Sequence, residues 1–316
     1  MAHTSYQRAK TLSIFRVGEN SQQSNLNYVL EEYSKIIDKI SHEHKTPRNV
    51  ELALKSVLNR WKKGKKLSRA SYMIPVIYMV AFDEHKSCDK NNLSDIENIL
   101  ISLDIVINNL DDSVDILQED KKSKWNREVI KTINFIYIFL KLNKVIPDSK
   151  TRDLVINKTL DFIVMLTQIP WFEKKYSESI SKSKSTKIEE KLAIECLRER
   201  AKDVDIFSEL MILYLGIKKN HARGIIKAVR DYRALELFSK DYFDIDTDIE
   251  DESNTPTVSI YKKYKRRRKD FDKRILSVLD RLHDNLRDNK TDSSAVNFLK
   301  DLGKKKYDNL VKEVKK

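Results

Sequence analysis

LSDIENILISLDIVINNLDDSVDIL, residues Leu93 to Leu117, is a long and mostly apolar helical run that ends in acids. Its last turns carry Asp111-Asp112-Ser113-Val114-Asp115, a DDxxD pattern. Carboxylates at i, i+1 and i+4 converge on one side of a helix, one turn apart. Hard divalent cations take such clustered oxygens, and Mg²⁺ then bridges to a substrate phosphate. The pattern alone suits a solvated acidic turn as well, so its meaning depends on the rest of the chain.

The rest of the chain reads as helix. Across 316 residues there are five glycines and five prolines, too few for the turns of a sandwich or barrel. Apolar positions recur every three to four residues. Cys88 and Cys196 are far apart and have no CxxC partner, which excludes a zinc site or a disulfide framework. No long uncharged stretch offers a membrane span. The N-terminal residues MAHTSYQRAK have no apolar signal core, so a cytoplasmic location is expected.

The net charge of +13 raises the question of nucleic acid. Most lysines are interleaved with acids, as on a solvated helical surface, and no paired Cys/His, aromatic RNP-like strand or Gly-rich hinge is present. Nucleic acid is therefore not an expected partner. One dense basic run stands apart, KKYKRRRK at Lys262 to Lys269. It suits a solvated helix face, an anionic membrane surface or a phosphorylated ligand.

Residues 1–25 are polar and read as a flexible N-terminal segment, with a single α-helical domain over 26–316. Helices are expected over Leu26–Ile40, Arg48–Lys62, from Arg69 through Ala81, Leu93–Leu117, Asn126–Leu142 and Thr151–Thr167. Further ones follow over Ile188–Leu215, His221–Phe243, Thr257–Leu286 and Val296–Val314. Pro75 kinks the third or marks its true start. The Ser/Lys-rich stretch Lys174 to Lys187 reads as a mobile linker or a lid. The predicted fold is all-α, one large bundle around a central cavity.

A second acidic set, Asp241, Asp244 and Asp248, falls at the end of the His221–Phe243 helix with i, i+3 and i+7 spacing. Lys65-Lys66 and Lys121-Lys122 flank the first set in sequence. Acids that face one another across a bundle, with lysines for phosphate, describe a site for a diphosphate attached to a hydrocarbon. His42, His44 and His221 suggest no metal set.

In this order the motifs resemble those of the trans-polyprenyl diphosphate synthases, in the class I isoprenoid synthase superfamily. The family's GKRLRP is matched by GKKLSR, Gly64 to Arg69. DDSVD and Lys121-Lys122 follow in the places of its DDxxD and arginine pair. Lys202-Asp203 with Ile206-Phe207 stands for its KT and LF. Lys240-Asp241-Tyr242-Phe243-Asp244 stands for the last acidic motif, whose FQ positions read Glu236-Leu237. Lysine replaces three arginines, Ser68 replaces another with Arg69 beside it, and Asp104 stands where the family has histidine.

The resemblance implies Mg²⁺ held by Asp111, Asp112, Asp115, Asp241, Asp244 and Asp248. Lys202, Lys240 and Lys121 would steady the allylic diphosphate. Lys65, Lys66, Lys122 and Arg69 would hold isopentenyl diphosphate. Catalysis would centre on Asp111, Asp112 and Lys202, and Val106 and Ile107 would limit product length. The implied activity is a Mg²⁺-dependent prenyltransferase acting on isoprenoid diphosphates, and a homodimer. A terpene synthase is the alternative, with Asp244, Asp248 and Glu252 on one helix face and Arg198 as diphosphate sensor. Two further readings are a head-to-head condensing enzyme and a non-catalytic synthase-like partner subunit.

Overall fold

The computed structural model describes residues 69–83, 149–215, 217 and 219–316, with Asn27, Glu31, Ser34, Lys35, Glu97, Leu100, Ile101, Asp104, Ile107 and Asn108. Asp111, Asp112, Asp115, Lys65, Lys66, Lys121, Lys122, Val106 and the segment 1–25 lie outside the described residues. Among the described residues all regular structure is helical, as the scarcity of Gly and Pro predicts. No described helix is long and apolar enough to cross a membrane. The chain divides into two compact units, Met1–Ile163 with Leu213–Gly216, and Val164–Ile212 with Ile217–Lys316.

In the first unit, α1 spans Ala70–Asp83. Tyr72, Met73, Ile74, Val76, Ile77 and Val80 are all buried, so α1 is apolar around most of its circumference and serves as a core helix. Pro75 sits inside it, and the helix begins five residues before that proline. The N-terminus is held from a distance. The Ala70 backbone N–H donates to Asp104 Oδ2 at 3.0 Å, and Arg69 Nη1 lies 3.6 Å from Asp104 Oδ1. A carboxylate there satisfies a donor that the helix leaves open and opposes the positive end of its dipole.

The second unit carries the remaining named elements. They are α2 (Ser149–Lys182), which begins before the division, α3 (Thr186–Arg200), a 3₁₀ turn (Ala201–Val204), α4 (Asp205–Leu215) and α5 (Lys219–Phe243). A short α6 (Ile245–Glu250), α7 (Pro256–Tyr264), α8 (Arg268–Arg287) and α9 (Ser294–Val314) complete it. Helix α5 is the axis, packing on α3, the 3₁₀ turn, α7, α8 and α9. Every residue from Asp231 to Ser239 on it is buried.

The apolar stripe of α8, Phe271, Ile275, Val278, Leu279, Leu282 and Leu286, keeps helical spacing and closes on Leu235 and Phe238 of α5 and Leu310 and Val314 of α9. Gly303 lets α9 approach closely, since a Cβ there would lie 2.4 Å from Leu286 Cδ2.

Three boundaries differ from the sequence expectation, each for a visible reason. Lys174 to Lys182 continues α2, and only Ser183–Ser185 is non-helical. That turn is pinned, because Lys263 Nζ donates to the Ile180 carbonyl at 3.1 Å and to the Ser183 carbonyl, and pairs with buried Glu189. Lys263 thus caps the C-terminus of α2. The expected Thr257–Leu286 helix is two helices, with a break at Lys265–Arg267, across which a continuous helix would set Lys262 against Arg266 and Lys263 against Arg267 at i, i+4. Thr255 caps α7 by accepting from Val258 N–H at 3.3 Å, with Pro256 in its first turn. The expected Ile188–Leu215 helix is interrupted by the 3₁₀ turn, which carries buried Asp203 toward Arg233.

Leu279 is fully buried among α5, α8 and α9. Leu279→Ala removes transfer energy and leaves a cavity, so it is expected to cost about 2–5 kcal/mol of unfolding free energy in urea titration.

Candidate functional site

The second acidic set lies at the end of α5. Asp244 is a turn residue between α5 and α6, yet the backbone keeps helical register through it. Asp244 N–H donates to the Lys240 carbonyl at 2.9 Å, and Asp248 N–H to the Asp244 carbonyl at 2.8 Å. Asp241, Asp244 and Asp248 therefore stay on one side of a nearly continuous helix, one turn apart. Helical structure ends at Glu250, and Glu252 has φ of 54°. The single helix face needed for an Asp244, Asp248 and Glu252 triad is thus absent.

The three acids differ in surroundings. Asp241 is buried, and Arg200 grips it with both terminal nitrogens, Nη2 to Oδ1 at 3.1 Å and Nη1 to Oδ2. Arg200 Nε also lies 3.1 Å from Glu173 Oε1. Burial works against the guanidinium's charge, but Asp241 and Glu173 outweigh it and its pKa is raised. Asp244 is half-exposed and paired with Lys240 at 3.1 Å. Asp248 is half-buried beside Thr255, whose hydroxyl lies 3.4 Å from Oδ2. Burial first, then the charge of Asp241, pushes the Asp248 carboxyl up to about 6.

Such crowding of negative charge is what a cation or ammonium relieves. Here Arg200 and Lys240 already supply it. A divalent ion needs several oxygens on itself, and both oxygens of Asp241 are engaged. Among the described residues no three His, Cys, Asp or Glu side chains gather as a group that could hold a metal ion. As the side chains stand, Asp241 is taken by Arg200 and Asp244 by Lys240.

Other residues singled out in the sequence have partners of their own. Lys202 is exposed and paired with Glu199 at 2.6 Å, while its neighbour Asp203 is buried against Arg233 at 2.7 Å. Glu236 accepts from Arg233 at 2.8 Å. Arg198 pairs with Asp231 at 3.2 Å. Arg69 is buried beside Asp104, and Ile107 is buried in the first unit.

Sequence reasoning missed Arg200 and Glu173, which control Asp241. A signal was present in the charge order. Arg198, Arg200, Asp203 and Asp205 answer Asp231, Asp241, Arg233 and Arg230 on α5 with opposite sign at each pair. No protein-family model matches the chain, and neither a curated protein nor a solved structure matches it.

Asp248 gives a pH test. The folded protein holds its proton more tightly than the unfolded chain, so the ionised carboxylate opposes folding. Stability from this group is lost as pH rises from the ordinary 3.8 through about 6. Asp248→Asn is expected to raise Tm at about pH 7.5 and to match the parent near pH 4. Thermal unfolding at the two pH values checks this. An equal shift at both would remove the electrostatic cause.

Proposed function

We propose that this chain is a protein of the class I isoprenoid synthase type that binds isoprenoid diphosphates. Its activity in this reading is a Mg²⁺-dependent condensation of an allylic diphosphate with isopentenyl diphosphate. The order of GKKLSR, DDSVD, Lys202-Asp203 and the Asp241–Asp248 set supports it, as does the all-helical structure of the described residues. The observation that carries it is the joint order of these four motifs along one chain.

Mg²⁺ enters this reading through Asp111, Asp112 and Asp115. At the α5 end the chain's own cations do the electrostatic work. Lys240 exchanges Asp244 for a diphosphate oxygen, and Lys202 exchanges Glu199. Both lysines hold their present partners at the surface, where such an exchange costs little.

A second reading, the non-catalytic partner subunit, is favoured by Arg200 on Asp241 and by Arg69 on Asp104. Both pairs engage residues that a synthase would turn toward ligand.

A product assay separates the two. Purified protein receives Mg²⁺ and dimethylallyl, geranyl, farnesyl or geranylgeranyl diphosphate, with and without isopentenyl diphosphate. Elongated diphosphates formed only with isopentenyl diphosphate are expected, with a loss of at least about a hundredfold in Asp111→Asn. Hydrocarbon or alcohol from an allylic diphosphate alone means a terpene synthase. No turnover, with diphosphate binding that Asp111→Asn abolishes, means the partner subunit.

A further inference from the structure

The strongest unassigned feature is a basic surface built from two segments that Lys263 clasps together. Every residue from Lys262 to Lys269 except Tyr264 is cationic. On the adjoining turn stand Lys182, Lys184 and Lys187. Lys263 joins the two segments by donating to the Ile180 and Ser183 carbonyls and pairing with Glu189. Neither 182–187 nor 262–269 contains an acid; beside the first, Glu189 is buried on Lys263 and Glu190 accepts from Ser277.

The charges on this surface are mostly uncompensated. Arg267 pairs with Asp270 at 3.2 Å, and Arg268 with Asp272 at 2.9 Å. Lys184, Lys187, Lys262, Lys265, Arg266 and Lys269 are exposed, and among the described residues none of them has an ion-pair partner. Next to Lys187 in sequence, Ile188 is 52% exposed, one of the large apolar side chains left in solvent among the described residues.

We propose that this surface docks the protein onto an anionic membrane, with the lysines on lipid phosphates and carboxylates and Ile188 entering the headgroup layer. Exposed lysines each add attraction to an anionic leaflet, and an apolar side chain among them adds burial that charge alone lacks. The chemistry does not suit single-stranded nucleic acid. Of the rings in the region, Tyr264 and Phe271 are turned inward, and half-buried Tyr261 packs edge-on against Phe271, which leaves no exposed ring face for stacking bases in sequence. Two of the three arginines in the run, Arg267 and Arg268, are held by aspartates. The docking is peripheral and does not depend on the activity proposed above.

Flotation of the full chain with phosphatidylcholine vesicles, with and without phosphatidylserine, tests this. Binding is expected only with phosphatidylserine, with release at about 0.5 M salt. The Lys262→Glu/Lys265→Glu/Arg266→Glu variant leaves the Lys263 clasp intact and is expected to lower partitioning by more than about a hundredfold. Lys290→Glu/Lys304→Glu/Lys312→Glu changes the same charge elsewhere and is expected to lower it by less than about tenfold. Ile188→Ser is expected to weaken binding several-fold without changing its salt dependence. Circular dichroism melts check folding, and Lys265→Gln/Arg266→Gln replaces the triple variant if that one is unstable. Three results overturn the proposal: no binding to phosphatidylserine vesicles, equal binding to neutral ones, or equal loss in the two triple variants. Retention of poly(U) RNA by these residues without vesicle binding assigns the surface to nucleic acid instead.

Discussion

Arg200, a largely buried guanidinium held between two carboxylates, ties three helices of the second unit together. Its own helix is α3, Glu173 belongs to α2 and Asp241 to α5. Each charge costs several kcal/mol to take out of water, and only close mutual pairing offsets that. The same solution recurs along α5, where Arg233 lies between Asp203 and Glu236 with Lys306 at 3.8 Å from Glu236. The apolar faces of α8 and α9 supply the hydrophobic driving force, which is non-directional. The buried pairs are directional, and they set which turn of α3 meets which turn of α5.

This constraint shapes the candidate site. Asp241 closes an ion pair with both oxygens and acts as an anchor, while Asp244 pairs with Lys240 and Asp248 stands beside Thr255. A parallel case stands in the first unit. Arg69 and Asp104 are both departures from the synthase pattern in sequence, and in the structure they lie 3.6 Å apart. Two changes that look independent along the chain form one local unit, with Asp104 also holding the first N–H of α1.

Helix was legible in the sequence because few breakers interrupt a three-to-four-residue apolar period, and α5 and α9 lie close to their expected spans. The break at Lys265–Arg267 was not legible, since apolar spacing continues across it and only local charge crowding and the tether of Tyr264 to Glu189 end α7 there. Lys174–Lys182 looked mobile from its serines and lysines. It is helical because α7 packs alongside, through Ser259 and Ser177 at 2.9 Å, and Lys263 closes its end. The one-sided placement of Asp241, Asp244 and Asp248 was legible from i, i+3 and i+7 spacing. The role of Asp241 as an anchor was not, because it depends on Arg200, 41 residues away.

A double-mutant cycle on Arg200 and Asp241 tests the anchor directly. Arg200→Met, Asp241→Leu and the double variant are compared by urea unfolding, with Mg²⁺ binding followed in parallel. Arg200→Met leaves buried Asp241 without its partner and is predicted to cost about 3–5 kcal/mol, Asp241→Leu leaves Arg200 on Glu173 alone and is predicted to cost less, and the double variant recovers part of the summed loss. Additive losses below about 1 kcal/mol, with Mg²⁺ affinity abolished by Asp241→Leu, would make Asp241 a metal ligand and contradict this account.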